Sequence, residues 1–170
     1  SDLKDKRNQF ISVQDNSRDL KEKIVKYTEV IGALAEYIEE YDIEALRDRV
    51  EKSSKIDDLL SEMKKKTSDV SREKRENERQ AKILDDVPCG SSYPSCKFIK
   101  DAYVAKANLP SNEEALKLLD EHQSMLGEKR EALDPDDAQV NIDKYDKLVS
   151  KKKEYESAIE KGKLTIEKNV

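Results

Sequence analysis

The chain has 170 residues, one domain's length by the usual prior. Charged residues make up 42%, hydrophobic residues 35% and aromatics 5%, with no Trp, whereas a globular domain is about a quarter charged and nearly half apolar. Net charge is −5, from 33 basic and 38 acidic residues of interspersed sign, which argues against a dedicated nucleic-acid-binding surface with its basic patch.

Two readings fit this polarity: disorder, or long exposed helices with a narrow apolar seam. Periodicity separates them, since disorder lacks it. No run of about 18 apolar residues is present, so no membrane span is expected. Nothing resembles a signal peptide, and the chain starts at Ser1. That start, with a seam that begins almost at once, leads us to expect a piece of something longer. Two cysteines do not make a disulfide scaffold, and a reducing, cytoplasmic setting is the expectation.

From Val13 to Tyr41 apolar residues recur three and four apart: Val13, Leu20, Ile24, Tyr27, Ile31, Leu34, Ile38 and Tyr41. This is the two-in-seven stripe of a coiled coil, and it predicts a helix through Tyr41. Ser17 holds the one seam position that is not apolar. Between Tyr41 and Leu46 the spacing slips, which predicts a local change of supercoil. The seam resumes at Leu46, Val50, Ser53, Ile56 or Asp57, Leu60, Met63, Thr67 and Val70. It then turns polar at Lys74, Asn77 and Ala81 before Leu84 restores it. Opposite charges three and four apart between Ser71 and Arg79 support a continuous, weakly packed helix there.

Asp85-Asp86-Val87-Pro88 ends this first arm, because the residue before proline is pushed out of helical geometry. A helix is predicted from Lys97 to Ala107, with Phe98 or Ile99, Ala102 and Ala105 on one side. Leu109-Pro110-Ser111-Asn112 is predicted to break it, with Ser111 or Asn112 capping the next helix. The seam continues through Leu116, Leu119, Gln123, Leu126, Arg130 and Leu133. Asp134-Pro135-Asp136-Asp137 is a second break, with Pro at the first helical position of a last helix. That helix carries Ala138, Ile142, Tyr145, Val149, Lys152, Tyr155 or Glu156, Ile159 and Ile166, with Gly162 as an internal weak point.

The expected fold is therefore all-α: a long antiparallel coiled-coil hairpin with an apical cysteine-containing loop. Residues 1–87 form the N-terminal arm, 88–97 the loop, and 98–170 the C-terminal arm with breaks near 110 and 135. Folding back about the cysteines pairs residues whose numbers total roughly 185. Pro135 then faces the region of Val50, and Pro110 faces the polar stretch around Arg75. A three- or four-helix bundle is the competing architecture. It would need about three apolar positions in seven, and the apolar content disfavours it.

Val87-Pro88-Cys89-Gly90-Ser91-Ser92-Tyr93-Pro94-Ser95-Cys96 holds both cysteines of the chain and two of its four prolines. Three states of the thiols compete: free, joined in an intramolecular disulfide, or bound to zinc. A redox-sensing loop whose thiols oxidise reversibly is a related reading of the second. Zinc in structural sites takes four tetrahedral ligands. Cys89 and Cys96 supply two, and His122 lies too far along a helix to join them. One chain thus offers half a site, and an identical second tip can offer the other half in a two-fold arrangement. That predicts a homodimer with one zinc, held by two cysteines from each chain. Pro88, Gly90 and Pro94 suit the bend, and Tyr93 and Phe98 are the apolar candidates for the dimer interface.

A cysteine pair at the apex of an antiparallel coiled coil resembles the zinc hook of SMC-like ATPases that partner a nuclease in double-strand break processing, the SbcC-type family. The string Pro88-Cys89-Gly90 through Pro94-Ser95-Cys96-Lys97-Phe98-Ile99-Lys100 looks like variants in phage-encoded members, although six residues separate the cysteines where the family usually has two. The resemblance implies a tethering module in DNA recombination and repair, joining two molecules tip to tip. It implies an ATP-hydrolysing head, a nuclease partner and DNA contacts only in the parent protein. The segment itself carries no Gly-x-x-x-x-Gly-Lys-Ser/Thr phosphate loop, so no enzyme activity is expected of it. A metal-free coiled-coil spacer, with its cysteines free or in a disulfide, is the alternative.

Overall fold

A computed structural model describes residues 2–87, 96–97 and 99–169. Among them there is no strand. The helices are α1 (Asp2–Glu39), α2 (Ile43–Ala81), the short α3 (Ile83–Asp86), α4 (Lys100–Leu133) and α5 (Pro135–Lys168). The chain divides into two compact units, Ser1–Asp48 with Asp136–Val170, and Arg49–Pro135.

In the first unit α1 pairs with α5. Tyr27 meets Tyr155 edge to face with ring centres 5.0 Å apart, and Tyr41 meets Tyr145 at 6.2 Å. On α1 Ile24 approaches Gly162 and Tyr27 meets Tyr155, so numbers rise on one helix as they fall on the other and the pair is antiparallel. Edge-to-face rings add about 0.5–1.5 kcal/mol each beyond the area they bury. Ala138 and Ile142 are buried at the start of α5. The other seam positions, from Leu20 to Tyr41 and from Tyr145 to Ile166, are half-buried, as a two-helix contact leaves them. Val13 differs: it is exposed, and the covered stripe begins at Ser17.

Gly162, the weak point of α5, is also a place of close approach. It is buried, and a Cβ built on it would lie 3.4 Å from Cδ1 of Ile24, ordinary van der Waals distance. A methyl group therefore fits, and alanine costs the helix less backbone entropy than glycine. Gly162→Ala is expected to stabilise the chain by about 0.5–1 kcal/mol, read as a rise in the helical melting temperature. Gly162→Leu should lower it.

In the second unit α2 runs antiparallel to α4, and much of what joins them is polar. The Asn77 side-chain amide donates to Oδ1 of Asn112 at 2.8 Å, with both residues buried. Gln123 donates to the Thr67 hydroxyl at 2.9 Å. The Arg130 guanidinium meets the Asp57 carboxylate at 2.6 Å. These pairs total 189, 190 and 187, against 182 for Tyr27 with Tyr155. The pairing rule read from the cysteines thus holds within each unit. Apolar burial is concentrated at Ile99, Ala102 and Ala105, beside the foot of α4.

Three local expectations need correction. The chain leaves helical geometry after Glu39, and α2 starts afresh at Ile43. What looked like a phase slip is a break with its own cap. The Asp42 carboxylate accepts the Ala45 amide at 3.1 Å, the bond an N-cap residue makes to the third helical position. Second, α4 runs unbroken through Pro110. Pro110 is exposed, so water can take the carbonyl of Lys106 that its missing N–H leaves over. Third, Asn112 caps nothing, since its side chain is committed across the interface to Asn77.

The break after Leu133 lies where proline places it. Asp134 adopts the left-handed conformation (φ 43°, ψ 65°), and α5 begins on Pro135. Arg49 serves this helix end: its guanidinium donates to the Leu133 carbonyl at 2.7 Å and the Asp134 carbonyl at 2.9 Å. Two carbonyls that a terminating helix leaves over are thereby paired with a cation.

Candidate metal centre

Two routes lead to the cysteine segment. On the incoming side α2 ends at Ala81, and α3 packs against α4. Val87 is extended (φ −96°, ψ 125°), the geometry that a following proline imposes. On the outgoing side the Cys96 carbonyl accepts two amides, from Ile99 at 3.1 Å and from Lys100 at 3.0 Å. This turn feeds directly into α4.

Ile99 holds the turn down. It is 1% exposed, the largest fully buried side chain among the described residues. Ala102 and Ala105 follow on the same face, 3% and 2% exposed. Such small side chains let neighbouring backbone come close. Cys96 is half-buried, and its thiol has no disulfide partner among the described residues. It thus stands at the root of a fixed helix, three residues from the buried Ile99.

Of the residues that the sequence nominated, only Cys96 lies among those described. Pro88, Cys89, Gly90, Tyr93, Pro94 and Phe98 lie outside the described residues. His122 is exposed on α4, 22 residues beyond its first residue Lys100, or about 33 Å along the axis at 1.5 Å per residue. It cannot share a metal with Cys96. Among the described residues no three His, Cys, Asp or Glu side chains gather as a ligand set. The sequence offers two thiols, Cys89 and Cys96, a donor set that would fit half of a tetrahedral zinc site.

The polar pairs below this end went unread in the sequence, although the signal was there. Thr67, Asn77 and Gln123 are polar residues at seam positions. A fold-back total of 190 pairs Thr67 with Gln123 and brings Asn77 to within one residue of Asn112.

No family model, curated protein or solved structure matches the chain. What the fold defines is a class, all-α with long antiparallel helix pairs. No described helix is long and apolar enough to cross a membrane.

Proposed function

We propose that the chain is a dimerisation module, the coiled-coil apex of an SMC-like ATPase subunit that works with a nuclease in DNA recombination and double-strand break repair. Cys89 and Cys96 of two chains hold one zinc and join the molecules tip to tip. The setting is cytoplasmic and reducing, which keeps thiols available to metal. The module performs no catalysis; ATP hydrolysis, nuclease partner and DNA belong to the parent protein's heads.

One observation carries the reading. The antiparallel pairing of α2 with α4 ends where the segment holding both cysteines begins, and Cys96 sits on the turn that starts α4. A ligand rooted in a fixed helix loses less freedom on binding metal than one on a free tether. Zinc, when bound, supplies the fixed tetrahedral link between two thiol pairs. The chain's part is to present each pair, and Pro88, Gly90, Tyr93, Pro94 and Phe98 are the residues we assign to the surface around the joint.

The test is solution mass with metal content, for the parent chain and for Cys89→Ser with Cys96→Ser. The parent should give one zinc per two chains and dissociate on chelation. The double serine variant should be monomeric with helical content unchanged. Dimers that persist in that variant would overturn the zinc joint, and dimers lost to dithiothreitol but indifferent to chelator would indicate disulfides instead.

A further inference from the structure

We infer that the polar pairs Asp57–Arg130, Thr67–Gln123 and Asn77–Asn112 act as rungs that fix α2 and α4 in a single register. A heptad seam by itself specifies register poorly, because sliding one helix by seven residues puts seam on seam again. Apolar side chains accept each other in any of these registers. Buried amides do not, since each must find a hydrogen-bond partner or leave a polar group unsatisfied. In this register they all do. Among the described residues no buried side-chain nitrogen or oxygen lacks a partner.

The alternatives can be enumerated from the seam. Sliding α4 by one heptad in one sense sets Asn77 against Leu119 and Asn112 against Leu84. Gln123 then meets Lys74 in place of Thr67. Sliding it in the other sense sets Asn77 against Ala105, Asn112 against Val70 and Thr67 against Leu116. In that sense Arg130 exchanges Asp57 for Val50. Both slips strand both asparagines among apolar side chains.

The rungs differ in weight. Asn77 and Asn112 are 9% and 5% exposed, so water cannot stand in for a lost partner. Thr67 and Gln123 are half-buried. The Asp57 and Arg130 side chains are 49% and 39% exposed, and a pair this open adds little. The Asn rung is the main discriminator and the Thr67–Gln123 rung its support.

A spin-label distance measurement tests this on the full chain. Cys89→Ser and Cys96→Ser remove the native thiols, and Asp58→Cys with Glu114→Cys place labels at exposed sites, one on α2 and one on α4. These sites are offset along the axis, so a slip of seven residues changes their separation by nearly the full 10 Å or so of two helical turns. The parent should give one distance. Two variants are measured: Asn77→Leu with Asn112→Leu, and the same with Thr67→Val and Gln123→Leu added. A second distance about 10 Å away in either variant bears the inference out. One unshifted distance in both overturns it, for the seam alone would then hold the register. The smaller variant keeps the test decisive if the larger one fails to fold.

Discussion

Ile99→Ala is expected to destabilise the second unit by about 2–5 kcal/mol, the range for deleting a fully buried aliphatic side chain. Ile99 combines full burial with a position in the turn that connects Cys96 to α4. Its own amide bonds the Cys96 carbonyl, and its carbonyl accepts the Tyr103 amide at 3.1 Å, so side chain and backbone fix the same point. The cavity left by alanine has little chance to close, because Ala102 and Ala105 cannot extend to fill it. Hydrogen exchange should show the loss first in amides at the start of α4, with α5 protected as before. On the proposed function the same variant should also bind zinc more weakly, since the Cys96 ligand loses its anchor. A variant that melts with the parent and exchanges like it would show that this end of α4 is held by something other than Ile99.

Arg49→Ala is expected to cost about 1.5–3 kcal/mol, the range for hydrogen bonds made by a charged donor. The loss comes from two carbonyls, those of Leu133 and Asp134, which a single guanidinium now serves. Arg49→Lys should recover only part of it, because an ammonium cannot present the planar fork that reaches both acceptors. Both variants are compared by thermal or denaturant unfolding followed by helical signal. Equal stability for arginine and lysine would mean that charge near the helix end suffices and the paired geometry does not matter.

What could be read from the sequence was the seam. Nearly every residue assigned to it between Leu20 and Ile166 is half-buried or buried, because a spacing of three and four maps directly onto one side of a helix. The proline at 135 was equally informative, since proline suits the first turn of a helix better than any later position. Pro110 misled for a related reason. Proline in a helix interior costs one hydrogen bond, and sequence cannot say whether the surrounding contacts absorb that loss. Here a 34-residue helix, locked by Asn112 two residues further on, carries straight through. The break at 40–42 was hidden because Tyr41 keeps its seam contact with Tyr145 although the helix has already ended. Spacing reports which residues face inward, and it is silent on whether the backbone between them is continuous. Of the candidate centre, the sequence supplied the donors; only Cys96 and its turn could be placed.

The narrowness of the seam has a thermodynamic consequence. Only five apolar residues are buried among those described. Unfolding such a chain brings little new apolar surface into water. Its heat-capacity increment per residue should therefore fall below that of a globular domain, and so should its sensitivity to denaturant. A small increment flattens the curve of stability against temperature. Helix pairs of this kind lose their hold gradually on warming, and the cold side of the curve recedes as well.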